Sequence, residues 1–396
     1  MQYEVTEASQ MRPADRIDLE HEPFLMFVLD ELANQLEAQT DDVIRLTLGK
    51  SELSPSPSVT EAIVTALRSP RDSSLVYPGG LPELRHAIAQ SASTRYQRSV
   101  APENVIISAG TSTLIRNVFD LLVEPGEEVL VPRPYYPLYT ICARLARARI
   151  TFYEIDTDTL RVDPTLIARA ISPSTRLVVV NTPGNPLGNV MSHAELAGID
   201  AAVGGRATIL FDEMYGDAAF DEAMAPSALH LREPLSPFVV TAGFSKSHRM
   251  YARRIGYAIV PRELAAPLTI VQHHTLLTAD TASQFGAVAA LGEPDDVESL
   301  RALYRMRRNY TMKAFAGHPS VRVIRPEGGF YLTLDCTKHM TENAYATSLE
   351  LALAIADQAH VATVPGSDFG LPTTLRLSFT ASRYEDAVDR LTQFFS

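Results

Sequence analysis

Apolar runs and helix-period stretches alternate along most of this 396-residue chain. Short apolar runs occur at VIIS (105–108), EVLVPRP (128–134), ITFYEI (150–155), RLVVVNTP (176–183), ATILFDE (207–213), FVVTAGF (238–244) and IGYAIV (255–260). Several are apolar almost throughout, as strands buried on both faces are. Helical stretches lie between most of them: GTSTLIRNVFDLL, LYTICARLARA, DPTLIARAI and AELAGIDAAV. In the third, Asp163 is placed to cap the helix and Pro164 to occupy its first turn. Strand and helix in alternation predict an α/β fold with a mostly parallel, seven-stranded-type sheet flanked by helices. Such sheets bind their ligands at the carboxyl ends of the strands.

The two ends of the chain read differently. Residues 1–20 read as an arm or loop, and Pro23 opens a helix in which Phe24, Val28, Leu32 and Leu36 repeat every four residues. VIRLTLGKSEL (43–53) reads as a short strand entering a glycine turn, and Ser58 with Glu61 makes a capping-box pattern for the next helix. After about residue 290 a long charged helix (DDVESLRALYRMRRNYTMKAF) leaves the sheet. Two strands around a Pro-Glu-Gly-Gly turn (VRVIRPEGGFYLTLDC), the helix SLELALAIADQA, the strand TLRLSFT and a terminal helix capped by Ser382 and Glu385 follow. The expected organisation is residues 1–50 as an N-terminal arm and part of a small domain, 51–289 as a large α/β domain, and 290–396 as a small C-terminal α+β domain.

Composition narrows the class. With 46% hydrophobic and 21% charged residues the chain is ordinary for a globular protein. A net charge of −12 without basic runs argues against nucleic acid and anionic membrane surfaces as partners. Two distant cysteines, Cys142 and Cys336, give neither a disulfide framework nor metal-ligand spacing, so no metal is expected and a reducing cytoplasm fits. The first twenty residues read as neither a signal nor a transit peptide, and no apolar run is long enough to span a bilayer.

Candidate chemistry sits at the strand ends. Ser108-Ala109-Gly110-Thr111-Ser112 joins a strand to a helix, where free amides and small residues form an anion site; an ordinary turn is the plainer reading. In Pro134-Tyr135-Tyr136-Pro137-Leu138-Tyr139 an aromatic could lie on a planar ring or belong to the core. Asn181-Thr182-Pro183-Gly184-Asn185-Pro186 fixes the Asn185 amide in a loop, where it suits a phenolate or carboxylate oxygen, a plain turn being the alternative. Asp212 ends a buried run, which is costly without a partner; a protonated ring nitrogen or a structural group would serve, and Tyr215 stands close by. Lys246 follows Ser245 and precedes Arg254-Ile-Gly-Tyr. A lone lysine there is ordinarily solvated, but this arrangement suits a Schiff base with an aldehyde cofactor whose phosphate Arg254 neutralises. Arg376 inside an apolar strand calls for a buried anion such as a substrate carboxylate, or else faces water at a sheet edge.

Taken together and in order, Tyr77, Gly80-x-x-x-Leu84-Arg85, Gly110, Tyr136, Asn185, Asp212 to Tyr215, Lys246, Arg254 and Arg376 resemble the class I/II aminotransferases, the fold-type I pyridoxal-phosphate enzymes, over roughly residues 40 to 395. The resemblance implies an enzyme carrying pyridoxal 5'-phosphate and moving the amino group of an α-amino acid to a 2-oxo acid. Lys246 would hold the cofactor as a Schiff base and shuttle the proton at the substrate α-carbon. Asp212 would keep the ring nitrogen protonated, Asn185 and Tyr215 would contact the ring oxygen, and Tyr136 would stack on the ring. Gly110, Thr111, Ser112, Ser245 and Arg254 would hold the phosphate. Arg376, helped by Asn185, would bind the α-carboxylate. Tyr77 would reach the phosphate of a neighbouring subunit, which implies a homodimer.

The sequence also departs from the family pattern. Gly243 stands where a serine is common three residues before the lysine, Leu187 where threonine is usual, and Ala252-Arg253 before Arg254 is unusual. Gly49-Lys50-Ser51-Glu52-Leu53 and Pro-Tyr-Tyr-Pro are closer to aminocyclopropane-carboxylate synthases. Gly49, Lys50 and Glu52, with His273-His274-Thr275, are therefore candidates for recognising the substrate side chain, solvated loop being the alternative. These departures keep a second reaction open: a lyase or γ-replacement enzyme acting on S-adenosylmethionine or another activated amino acid.

Overall fold

The computed structural model describes residues 14, 16, 25–40, 42–47, 49, 53–69, 78–221, 224–231 and 233–396. The chain runs through α1 (Leu25–Glu37), β1 (Ile44–Arg45), α2 (Pro57–Leu67) and α3 (Pro82–Tyr96) before entering the main sheet. That sheet is built from β2 (Val105–Ser108), α4 (Thr111–Leu122), β3 (Glu128–Arg133), α5 (Leu138–Leu145), β4 (Arg149–Glu154), α6 (Pro164–Ala170), β5 (Thr175–Asn181), α7 (His193–Val203), β6 (Thr208–Asp212), β7 (Phe238–Gly243) and β8 (Gly256–Ile259). All seven apolar runs are strands of one sheet in the order β2-β8-β7-β6-β5-β3-β4. Only β8 runs against its neighbours; β7, β6, β5, β3 and β4 pair in parallel. The period of two puts alternate residues of β5 on opposite faces. Val178 and Val180 join the core under α2, α3, α7 and α9 (Thr281–Ala290), while Leu177 and Val179 join the core with α4, α5 and α8 (Arg262–Thr275). Both faces are covered, which is why these strands read as continuous apolar runs.

A second core gathers both ends of the described chain. After α10 (Pro294–Ala314) come β9 (Arg322–Ile324), β10 (Tyr331–Asp335), α11 (Thr337–Glu342), α12 (Ser348–Ala359), β11 (Val361–Ala362), β12 (Val364–Pro365), β13 (Thr374–Ser378) and α13 (Tyr384–Phe395). Strands β12-β13-β10-β9 form an antiparallel sheet, and β1 pairs with β11 in parallel. Leu29 of α1 and Ile44 of β1 are buried with Leu332, Ile355, Leu377 and Leu391. Asp42 bridges Arg383 at 2.8 Å and Arg390 at 2.7 Å, tying the segment before β1 to α13. Two helix starts differ from expectation. Helix α2 begins at Pro57 with Ser56 as N-cap, ahead of the Ser58–Glu61 box, because proline fixes the first helical position. Helix α13 begins after Arg383 rather than on a Ser382 cap. The Asp163 cap is present, its side chain accepting from the Thr165 N–H. Pro23 and Phe24 lie outside the described residues.

Candidate active site

Strands β5, β6 and β7 end side by side, and each delivers one polar group to the same place. Beyond β7, the Lys246 amine donates to the Gly49 carbonyl oxygen at 2.7 Å. It lies 4.9 Å from the Phe330 ring and 5.2 Å from the Tyr251 ring. Burial pulls the amine below the usual lysine range; the Tyr331 hydroxyl opposes this, and the Arg376 and Arg254 charges add to it. A lysine so placed keeps a larger neutral, nucleophilic fraction near neutral pH.

Asp212 closes β6 and is buried. Its Oδ2 accepts from the Tyr139 hydroxyl at 2.7 Å and its Oδ1 from the Met214 N–H at 3.3 Å. Burial raises its carboxyl above the usual range, and the Tyr139 bond works against that. Beyond β5, the Asn185 N–H donates to Asn181 Oδ1 at 2.8 Å, and Asn185 Oδ1 accepts from Arg376 Nη1 at 3.2 Å. Tyr215, one turn past Asp212, meets the Tyr331 hydroxyl at 3.4 Å and is pushed well above the ordinary tyrosine range, chiefly by burial. Tyr136 packs edge-on against Tyr139 at 5.7 Å, and burial likewise raises its hydroxyl.

Arg376 enters from β13 and is only 2% exposed. No carboxylate among the described residues lies within ion-pair distance of it. Its Nη2 donates to the Thr47 carbonyl at 2.6 Å and approaches Met26 Sδ at 3.7 Å, while its Nε has no partner among the described residues. The guanidinium carbon sits 4.1 Å from the Tyr331 ring centre and 4.8 Å from that of Phe369. The water-facing alternative for this arginine is thereby ruled out.

At the start of α4, Gly110 is the N-cap with φ +84° and ψ 165°, and no side chain caps the helix. A Cβ on Gly110 would stand 2.7 Å from Arg254 Nη2. The free amides of Thr111 and Ser112 and the Arg254 guanidinium therefore share one cradle, an arrangement that suits a phosphate. Arg254 Nη1 is held by the Tyr251 carbonyl at 3.0 Å. Ser245, next to the lysine, is buried. A Cβ at Gly243 would come within 3.0 Å of Gly256 in the adjacent strand, so the strand crossing leaves little room for a serine there.

Lys246, Asp212, Asn185, Tyr215, Tyr136, Gly49 and Arg376 thus converge, with Gly110, Thr111, Ser112 and Arg254 forming the anion cradle beside them. Thr47, Met26, Tyr139, Phe330 and Tyr331 belong to the same site and had not been expected from the sequence. Tyr139 closes the aromatic run at 134–139, and Phe330-Tyr331 follows the double glycine; those were the available signals. His273 and His274 stand exposed at the end of α8, and the Thr275 hydroxyl turns to Asn117 at 3.2 Å, so the structure does not bring this triplet to Lys246. Lys50, Glu52 and Tyr77 lie outside the described residues. The set fits pyridoxal phosphate: an amine for the aldehyde, a buried carboxylate for the ring nitrogen and an amide–guanidinium cradle for the phosphate.

Among the described residues no helix is long and apolar enough to cross a membrane. The family model for aminotransferase class I and II matches residues 41–395. An aspartate aminotransferase of Bacillus sp. (strain YM-2) is 29% identical over 94% of this chain and 96% of its own. A probable aspartate/prephenate aminotransferase of Aquifex aeolicus is 30% identical over 88% and 90%. Among solved structures, alanine aminotransferase from Pyrococcus furiosus superposes with a TM-score of 0.89 at 26% identity, covering 97% of this chain and 99% of that one. Thermus thermophilus aspartate aminotransferase with maleate gives 0.86 at 28% identity, covering 97% and 100%.

Proposed function

This chain belongs to the class I and II aminotransferases, pyridoxal-phosphate enzymes acting on amino acids, and from that premise we propose how its own residues divide the work. The bound cofactor supplies an electron sink for the substrate carbanion and carries the amino group between an amino acid and a 2-oxo acid. Lys246 is the residue that would hold the cofactor's aldehyde carbon and, once released, moves the proton at the substrate α-carbon. Asp212 would supply the negative charge for the ring nitrogen, and Tyr139 fixes that carboxylate in place. Asn185 and Tyr215 would address the ring oxygen, and Tyr136 would cover the ring. Gly110, Thr111, Ser112, Ser245 and Arg254 would hold the phosphate.

The observation that carries the reading is Arg376. A desolvated guanidinium with no counter-ion among the described residues, stacked on the ring of Tyr331, is suited to an incoming carboxylate. Its bond to Asn185 ties it to the loop that leaves β5. Gly49 would form one wall for the substrate, because any side chain there would collide with Tyr331, Phe330 and Lys246. We also propose the division into residues 1–50 and 290–396 as a small domain around the second core, with 51–289 as the large one, and a cytoplasmic homodimer. Exposed Ile141 on α5 and Ile270 on α8 support the last point, since both lie in the helical layer that carries α4.

The test mixes the purified enzyme with a panel of α-amino acids that includes S-adenosylmethionine. One equivalent of oxo acid per site, with the amino group delivered to a second oxo acid, is the expected result. Release of a leaving group without amino transfer would replace this reading with a lyase or replacement reaction. In parallel, borohydride should fix the cofactor to the wild type and leave Lys246→Ala unlabelled; labelling of the variant would move the anchor to another lysine.

A further inference from the structure

Strand β10 brings Tyr331 into the middle of the site. Its ring faces the Arg376 guanidinium, whose carbon is 4.1 Å from the ring centre. Its hydroxyl lies 3.4 Å from that of Tyr215. A Cβ built on Gly49 would stand 2.2 Å from the Tyr331 hydroxyl and 2.8 Å from the Lys246 amine, so the two groups meet over the same bare backbone atom. Phe330 and Tyr215 pack edge-on to one another at 5.1 Å, and Tyr331 packs against both. The position of the hydroxyl is set by the β10–β13 register that pairs Tyr331 with Ser378.

We propose that Tyr331 is a catalytic residue of this enzyme, its hydroxyl exchanging a proton with the Lys246 amine while its ring carries the carboxylate-binding Arg376. The step balances without any further reactant. When the Lys246 amine takes a proton from a substrate carbon it becomes an ammonium. Passing that proton to a Tyr331 phenolate breaks an N–H bond, forms an O–H bond and restores the neutral amine; the reverse step re-arms the ammonium as an acid. The charge environment supports the assignment. Burial alone would push Tyr331 up, but the Lys246 and Arg376 charges and the Tyr215 hydrogen bond outweigh it and hold the hydroxyl below the ordinary tyrosine range. Its neighbour Tyr215 moves the opposite way, so Tyr215 donates and Tyr331 accepts. Among the described residues Tyr136 also faces Tyr331, and burial pushes it up. A carboxylate arriving at Arg376 would cancel part of the positive charge against the ring. Substrate binding is thereby coupled to the proton affinity of the tyrosine beside the lysine.

The proposal rests on the aminotransfer reading, and the test separates the two. Tyr331→Phe keeps the ring and the Arg376 stack; Tyr331→Leu removes both, and a thermal melt confirms that each is folded. In the cofactor-free protein, tyrosinate difference absorbance should lose one early-titrating tyrosine in Tyr331→Phe. The pH profile of Lys246 acylation, followed by peptide mass, should shift at the same time. In the holoenzyme, kcat should fall about 100-fold with the KM for the amino acid within about twofold, in the range one acid–base group contributes. Unchanged kcat and an unchanged lysine profile in Tyr331→Phe would make the residue packing only and overturn the proposal, as would a raised KM at constant kcat. If the wild type transfers no amino group, the reaction assignment falls, while the cofactor-free titrations still decide the proton exchange.

Discussion

Arg376 shows what a single side chain discloses. Desolvating a guanidinium costs several kcal/mol unless hydrogen bonds and charge compensate. Here a backbone carbonyl, an amide oxygen and two ring faces compensate in part, and Nε is left over. A substrate carboxylate would complete the set. Arg376→Lys keeps the charge but loses the planar fork, so kcat/KM for every amino acid substrate should fall about 100- to 1000-fold, roughly 3–4 kcal/mol. Cofactor affinity, measured separately by fluorescence titration, should stay constant. Kinetics indistinguishable from wild type would make this arginine a structural group. The same reasoning explains which site residues the sequence disclosed. Lys246, Asp212 and Arg376 interrupt or end apolar runs, and a charge in such a place needs a reason. Tyr139 and Tyr331 gave no comparable signal, because a tyrosine beside a strand serves a core equally well. What singles them out is a hydroxyl within reach of Asp212 or Lys246, and that depends on pairing between strands far apart in sequence.

At the scale of elements, the seven strands were legible because each is apolar on both faces, and their helices because the period changes between them. Helix starts were less so. The Ser58 hydroxyl, expected to cap α2, donates instead to Glu293 at 2.5 Å, a contact from 235 residues away. Arg383, at the head of α13, is drawn to Asp42. Local cap patterns yield to such long-range partners. The start of α4 carries the element-scale prediction. Gly110 holds φ +84° and ψ 165°, a region open essentially to glycine, and touches the space of Arg254. Gly110→Ala should therefore weaken cofactor affinity at least about tenfold, by straining the backbone by about 1–3 kcal/mol and displacing the guanidinium. Gly126→Ala is the matched control, with φ +85° and nothing within 4 Å of the added carbon. It should lose stability alone. Equal cofactor affinity in Gly110→Ala and the wild type would remove the cradle from the phosphate site.

Across the whole molecule, the site lies on the seam between the two cores. The segments leaving β5 and β6 cross from one to the other: Thr333 Oγ1 donates to the Pro186 carbonyl at 3.0 Å, and the Phe220 N–H donates to that of Glu327 at 2.8 Å. Glu213 sits at the root of the second crossing, directly after Asp212. Its carboxylate accepts from the Ala228 N–H at 2.8 Å. Burial pushes it up to about 7, against the hydrogen bonds from Ser227 and Ala228, with the Asp212 charge adding to the rise. A carboxyl raised in the folded state binds its proton there before it does so in the unfolded chain. Its contribution to stability is therefore complete below the unfolded pKa near 4.5 and is lost as pH climbs through about 7. The size of that loss is roughly 3 kcal/mol. Glu213→Gln retains an acceptor for the Ala228 N–H and has nothing to ionise. Urea unfolding of the cofactor-free protein at about pH 5 and about pH 8 should show the variant gaining on the wild type by that amount between the two. A wild-type-minus-variant difference that stays flat over this window would mean that Glu213 ionises at no cost, and that the seam is wet enough to solvate a carboxylate one residue from Asp212.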